Sequence, residues 1–247
     1  ATTGRPGPVL VDIPKDILNQ VAAWVEPGDL DLPGYKPTTE PNPKMVQQAS
    51  SLIKKSKKPI LYVGGGIIHS KANNELFELA TKFNIPVVTT LMGRGAFPDG
   101  HELCLEMPGM HGNYTATTSI QNADLLIAIG VRFDDRVTAN PSFFAQNAKV
   151  IHADIDPAEI GKVRDAQVPI VGDAKSVIKG LIEALGDEKL DTENWVSELK
   201  EMKTEFPLSY KQEDKGPLKV PYVLEELQKL TKEEAIVVAG VGQHQMW

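Results

Sequence analysis

The sequence has little or none of several features that define common classes of protein. Its one cysteine, Cys104, excludes an intramolecular disulfide and a cysteine metal cluster, which fits a reducing compartment. No apolar run approaches the roughly 20 residues that cross a bilayer, and residues 1–6 lack the apolar core of a signal peptide. The net charge of −7 argues against a broad nucleic-acid-binding surface. The composition therefore predicts a protein that binds neither membranes nor nucleic acids.

Common catalytic signatures are also absent. The sequence has no zinc-ligand spacing, no P-loop and no nucleophile elbow, and its five histidines are scattered. The glycines at 64–66 do not form the dinucleotide fingerprint G-x-G-x-x-G, because its third glycine would fall at His69. No two carboxylates are placed as an acid and a base. The residues by themselves predict a binding domain rather than a complete active site.

An alternation of short apolar runs and helical patterns predicts the fold. The predicted strands are 60–63, 87–90, Leu125–Ile129, 150–153 and 169–171, and the predicted helices are 44–55, 71–83, 113–121, 157–162 and Ala174–Leu185. Nearly uninterrupted apolar strands between helices are typical of a parallel sheet covered on both faces. We therefore expect an α/β, doubly wound, mostly parallel, Rossmann-like domain. Further strands are predicted at 9–13 and 235–239, and a further helix at 218–230.

The run GVRFDDRVT at 130–138 is the most informative stretch of the chain. It follows the apolar strand Leu125–Ile129, and the carboxyl end of such a strand presents groups to a ligand crevice. Two arginines and two aspartates at that place can hold a diphosphate, a carboxylate and a polar ring system together. The alternative is a solvated loop whose charges neutralise one another.

The turns after other strands offer similar chemistry. Glycines at 64–66 allow a close backbone approach to a ligand, although such turns are also common without one. Met110 offers an adaptable apolar surface, and His111 stands beside it, although a single histidine at a turn is more often structural. Their position favours a shared ligand crevice at one edge of the sheet.

Acidic and polar residues follow the last predicted strands. Asp154 is placed to accept hydrogen bonds from ribose hydroxyls, whereas Asp156 is expected to cap the helix that follows it. Asp173 is either a second ligand group or only the N-cap of the next helix. Gln243 and His244 are suited to hold a diphosphate.

Taken together, these segments resemble the catalytic subunit of the acetohydroxyacid synthase (acetolactate synthase) family of thiamine-diphosphate enzymes. The matching segments run in family order over essentially the whole chain: GRPGP at 4–8, VGGG at 63–66, LMG at 91–93, GMHG at 109–112, GVRFDDRVT at 130–138, DIDP at 154–157, VGD at 171–173 and GQHQ at 242–245. The first of these is shared by many thiamine-diphosphate enzymes. The presence of GMHG, GVRFDDRVT and GQHQ in one chain is strongly specific.

The resemblance implies a division of the chain. Residues 1–25 correspond to the end of a pyrimidine-binding domain, 26–43 to a proline-rich linker and 44–186 to a central FAD-binding domain. A linker with a helix at 187–217 leads to the start of a diphosphate-binding domain at 218–247, which is truncated here. The activating glutamate and the magnesium-binding segment of the family are absent, so the sequence is expected to be an inactive central fragment.

The family decarboxylates pyruvate on thiamine diphosphate and adds the two-carbon unit to a second 2-keto acid. The product is acetolactate or acetohydroxybutyrate, for branched-chain amino-acid synthesis. The resemblance implies that FAD is contacted by Arg5, Gly64, Gly65, Gly66, Leu91, Met110, His111, Gly130, Arg132, Asp134, Arg136, Val137, Asp154, Ile155, Gly172 and Asp173. Arg136 would also recognise the carboxylate of the second keto acid, while Gln243 and His244 would hold thiamine diphosphate. Mg²⁺ would be bound outside this chain, with no metal ligand within it.

The resemblance also implies partners and a compartment. A homodimer or tetramer of catalytic subunits, a possible regulatory small subunit, and a cytoplasmic location (plastid or mitochondrion in a eukaryote) are expected. The alternatives are another thiamine-diphosphate enzyme, of the glyoxylate carboligase or pyruvate oxidase type, and a non-catalytic nucleotide-binding domain.

Overall fold

A computed structural model describes residues 1–29, 32–232 and 234–243. Its sheet contains β1 (Pro59–Val63), β2 (Val87–Thr89), β3 (Leu125–Ile129), β4 (Lys149–Asp154) and β5 (Val168–Val171). The strands lie in the order β2-β1-β3-β4-β5, and every pair is parallel. This arrangement confirms the predicted α/β, doubly wound class.

Helices cover both faces of the sheet. They are α1 (Lys15–Leu18), α2 (Pro43–Ile53), α3 (Gly65–His69), α4 (Asn73–Lys82), α5 (Tyr114–Asn122), α6 (Asp135–Thr138), α7 (Ala174–Leu185), α8 (Glu193–Glu205) and α9 (Val220–Thr231), with single 3-10 turns at Leu91–Gly93 and Pro141–Phe143. One core cluster joins α2, α4 and α7 to strand residues such as Leu61 and Ile127. The other joins α5 and α8 to the alternate residues, such as Tyr62 and Leu126. Burial on both faces explains why these strands are apolar throughout.

The strand order creates a topological switch point between β1 and β3. The chain leaves β1 toward β2 on one side and later returns to β3 on the other, so the loops after these two strands diverge. The pairing register places Val63 beside Ile129, and the next residues are therefore neighbours as well. The turn at 64–66 and Gly130 meet at this point.

Several element predictions were wrong in informative ways. The predicted helix 157–162 is a series of turns, because the Gly161 amide donates to His152 Nδ1 instead of to a helical carbonyl and Gly161 has a φ of +74°. The bond to His152 thus replaces a helical backbone bond. The predicted strands 9–13 and 235–239 are exposed, with Leu10 at 94% and Ile236 at 95%, and have no neighbouring strand among the described residues. A strand requires such a partner for its backbone hydrogen bonds.

We expect Gly66→Ala to destabilise the protein by about 1–3 kcal/mol, although alanine is the better helix former. A Cβ at Gly66 would lie 2.6 Å from the Gly130 Cα, so backbone must move. Urea denaturation measures the change. Gly100→Ala is the matched control, since a Cβ there meets nothing within 4 Å, and its effect is expected to stay within about 0.5 kcal/mol. Equal stability of the two variants would contradict this close approach.

Candidate functional site

A cavity of about 600 Å³ lies at the carboxyl ends of β1, β3, β4 and β5. Its size is within the roughly 300–1,000 Å³ of small-molecule and cofactor sites. Its place is the crevice at the topological switch point, where doubly wound sheets bind ligands. Nine of the predicted site residues line it: Arg5, Gly65, Gly66, Gly130, Arg132, Asp154, Ile155, Gly172 and Asp173.

The glycines of the cavity allow two backbone segments to touch. A Cβ at Gly64 would lie 2.3 Å from the Gly130 carbonyl oxygen, and the Gly66 amide donates to that same oxygen at 3.3 Å. Gly130 has a φ of +61°, which favours glycine. Gly64 is buried and does not line the cavity, so its requirement for glycine comes from this backbone contact.

An acidic wall follows β4. Asp154 is half-buried, accepts from the Asp156 amide at 2.9 Å, and has its pKa raised by burial. Glu159 is buried, also lines the cavity, and accepts from the Arg5 guanidinium at 2.7 Å, which lowers the pKa of Glu159. Asp156 lies 3.0 Å from the same Arg5 nitrogen. Asp154 therefore lines the cavity, whereas Asp156, predicted to cap a helix, accepts from the Ala158 amide in a turn because the helix does not form.

Hydrogen bonds and ion pairs of its own carboxylates hold the conformation of the charged run 130–138. Asp134 caps α6 by accepting from the Arg136 amide at 3.1 Å, and this bond, with Arg132 in addition, lowers the pKa of Asp134. Arg132 pairs with Asp134 at 2.5 Å and lines the cavity. Arg136 pairs with Asp135 at 2.8 Å, and its side chain is 69% exposed, outside the cavity lining. The two arginines thus serve different surfaces.

The loop with Met110 and His111 docks against α6. The Met110 amide donates to the Arg136 carbonyl at 3.0 Å, and a Cβ at Gly109 would lie 2.6 Å from that oxygen. Gly109 has a φ of +100°, so glycine is required for both reasons. Both Met110 and His111 are exposed. The docking places them beside Arg136, which the sequence distance of about 25 residues did not reveal.

The buried side chain of His152 contacts the buried residues of the charged run. Its Nδ1 accepts from the Gly161 amide at 3.3 Å, so its Nε2 carries the proton and donates to the Val131 carbonyl at 2.8 Å. The ring also meets the buried Phe133 edge-on, with 5.0 Å between centroids. Burial lowers the pKa of His152. The histidine is therefore neutral and structural.

The remaining predicted site residues lie outside the cavity lining. These are Gly64, Leu91, Met110, His111, Asp134, Arg136, Val137 and Gln243, whereas His244 lies outside the described residues. Asp173 lines the cavity and caps α7 by accepting from the amides of Lys175 and Ser176, so the capping prediction is confirmed. Sequence reasoning missed several lining residues, among them Thr39, His69, Ser70, Met92 and Glu159. Glu159 could have been identified from its position, because it is a carboxylate three residues after Asp156.

Metal-binding clusters and membrane-spanning helices are both absent from residues 1–29, 32–232 and 234–243. No group of three or more His, Cys, Asp or Glu side chains in these ranges is arranged to hold a metal ion. None of the helices in the same ranges is long and apolar enough to cross a membrane.

Comparison with known proteins identifies the family. The family model for the thiamine pyrophosphate enzyme central domain matches residues 46–181, which is more than half of the chain. The chain belongs to the thiamine pyrophosphate enzymes. The matched residues include the whole sheet, so the central domain of this family is the doubly wound unit described above.

This thiamine pyrophosphate enzyme is similar over its whole length to acetolactate synthases. It is 53% identical to the acetolactate synthase large subunit of Corynebacterium glutamicum, covering 40% of that protein. It is 45% identical to a probable acetolactate synthase large subunit of Methanocaldococcus jannaschii and 47% identical to acetolactate synthase 1, chloroplastic, of Zea mays, covering 43% and 39% of them. The chain thus spans about two fifths of the length of these relatives.

We expect the stability of this thiamine pyrophosphate enzyme domain to depend on His152 as the pH falls. Because the folded state lowers the pKa of His152 below its ordinary 6.5, the unfolded chain binds a proton first. Stability is therefore retained above pH 6.5 and lost below it, with a slope of at most about 1.4 kcal/mol per pH unit.

Urea denaturation between about pH 7 and pH 5 measures this loss. His152→Gln keeps a donor for Val131 and is expected to remove this part of the pH dependence. His111→Gln, at an exposed histidine, is the control and should retain it. Parallel pH profiles for wild type and His152→Gln would contradict the assignment.

Proposed function

We propose that this sequence is the central part of an acetolactate synthase. In this proposal, the whole enzyme decarboxylates pyruvate and adds the two-carbon unit to a second 2-keto acid, giving acetolactate or acetohydroxybutyrate. The observation that carries the proposal is identity of about half of all residues, over the entire chain, with proteins of that name from a bacterium and a plant. A second support is the cavity at the switch point of the sheet.

FAD is the proposed occupant of the cavity. Arg5 and Arg132 line it, and each guanidinium has five donors, so each can keep its carboxylate partner and still meet a diphosphate. Asp154, at the end of β4, is suited to accept from ribose hydroxyls. Gly65 and Gly66 leave room beside them for a close approach. These residues fit the group in hydrogen-bonding capacity and in space.

The proposed cofactors divide the chemistry. Thiamine diphosphate would supply the electron sink for decarboxylation, and FAD would be bound without net redox in the main reaction. Gln243 and His244 would hold thiamine diphosphate, and Mg²⁺ would be bound by a segment outside this sequence.

Arg136 is the proposed group for the second keto acid. Its guanidinium is exposed, and the capped helix α6 and the docked Gly109 turn hold its backbone. A planar guanidinium fork matches a carboxylate with two parallel hydrogen bonds. The neighbouring Asp135 occupies one nitrogen and leaves the other donors for such a substrate.

We also propose an assembly and a compartment. Relatives named as large subunits support a regulatory small subunit beside a homodimer or tetramer of catalytic subunits. A cytoplasmic location is proposed for a bacterial or archaeal source, and an organelle for a eukaryotic one, since one relative is named chloroplastic.

The proposed activity is tested on the full-length parent protein with thiamine diphosphate, Mg²⁺ and FAD. We expect pyruvate to give acetolactate, measured as acetoin after acidification, and purified protein to show flavin absorbance. Faster turnover of glyoxylate would favour a glyoxylate carboligase instead, and oxygen uptake with pyruvate would favour an oxidase. Flavin retention without any turnover of 2-keto acids would favour a nucleotide-binding domain.

We expect Arg136→Ala in that parent protein to impair use of the second keto acid more than decarboxylation. Loss of a charge-assisted fork costs about 1.5–3 kcal/mol, or about 10-fold to 150-fold in acceptor preference. Competition between pyruvate and 2-ketobutyrate as acceptors measures it, beside the rate of CO₂ release. Arg94→Ala, which removes an arginine paired with Asp99 outside the cavity, is the control. Equal losses in both steps would overturn the assignment.

A further inference from the structure

One wall of the cavity is formed by the first residues of the chain. Thr2, Thr3, Gly4, Arg5 and Pro6 all line it, together with the glycines that follow β1 and β3. We call residues 2–6 the strap. The strap contains no helix or strand, and its hydrogen bonds to distant segments of the described chain are made through the side chains of Arg5 and Tyr35.

The main fastening of the strap is the ion pair of Arg5. Its guanidinium contacts Glu159 at 2.7 Å and Asp156 at 3.0 Å, more than 150 residues away in sequence. The Glu159 side chain is only 10% exposed, whereas that of Asp156 is 27% exposed. Because a buried carboxylate is screened less by solvent, Glu159 is the stronger of the two partners.

A second fastening lies on the other side of Arg5. Tyr35 donates its hydroxyl proton to the Thr3 carbonyl at 2.8 Å, and the two side-chain oxygens lie 2.8 Å apart. Gly4, with a φ of +59°, lets the chain bend between these two anchors. Both tyrosine contacts are exposed, so Arg5 is the anchor nearer the protein interior.

We propose that Glu159 is a positioning residue that fastens the strap through Arg5, and that release of this pair admits the cofactor to the cavity. The identity of that cofactor as FAD rests on the proposed function. The role of the strap does not rest on it, because that role follows from the residues that line the cavity and from the contacts of Arg5 and Tyr35.

The strap is tested by thiol labelling of the parent protein without FAD. Ser70→Cys places a thiol at the cavity lining, and the same labelling of protein without Ser70→Cys gives the background of native thiols to be subtracted, among them the buried Cys104. We expect Glu159→Gln and Arg5→Gln each to raise the rate of reaction with dithionitrobenzoate about threefold to tenfold. The double variant should match the single ones, because each change breaks the same pair.

Lys162→Gln is the matched control. Lys162 contacts the same Glu159 oxygen at 3.2 Å, but it lies in the turns at 157–162 and not in the strap. Lys162→Gln should therefore leave the labelling rate within about twofold of that of the parent protein. Urea denaturation confirms that each variant is folded. Labelling of Glu159→Gln at the rate of the unaltered protein, or an equal increase with Lys162→Gln, would overturn the inference.

A second readout follows FAD itself. Release of FAD, monitored by flavin fluorescence, is expected to accelerate in Glu159→Gln and to recover in part in Glu159→Asp. Faster labelling with unchanged FAD release would overturn the role in cofactor entry. A parent protein that binds no FAD would contradict the proposed function, whereas the labelling rates would still decide for or against the strap.

Discussion

The site depends on one close contact between two stretches of backbone. In the register of β1 and β3, Val63 is paired with Ile129, and the following turns are brought within a distance that excludes a Cβ at Gly64, Gly66 and Gly130. The two loops diverge from this contact, one into α3 and the other into the charged run 130–138. The crevice between them is the cavity. A fold with the same sheet but bulkier residues here would have to separate the strands that form its floor.

The charged run gains its shape from its buried residues. Phe133 has a φ of +50° and lies among Tyr62, Phe144 and His152, which fixes the middle of the run in the second core cluster. Arg132 and Asp134, on either side of it, must then point away from that core. Capping of α6 and the Gly109 contact fix the end of the run. The two arginines are therefore exposed on a backbone that is held in place by buried contacts and by a cap, as a binding surface requires.

The parts of the fold that the sequence predicted are those set by local patterns. Apolar strands buried on both faces are continuous in sequence, so β1, β3 and β4 were found to within about a residue or two. The helix predicted at 157–162 does not form because the Gly161 amide donates to His152, which lies in β4 and is not part of the local pattern. The sequence did not predict the strap for a related reason. Its anchor joins Arg5 to a carboxylate 154 residues away, and no local pattern encodes such a contact.

The pairing of the arginines limits how the cavity can select a ligand. Arg5 is paired with Asp156 and Glu159, and Arg132 is paired with Asp134, so the lining carries no excess of positive charge. Attraction of any anion by net charge is therefore weak. What the pairs do provide is orientation, since each carboxylate holds a guanidinium fork in one position while the pair is formed. Selection must then come from the positions of hydrogen-bonding groups, which are the two guanidinium forks and the Asp154 carboxylate at the end of β4. Such a cavity favours a ligand of defined shape over a simple polyanion.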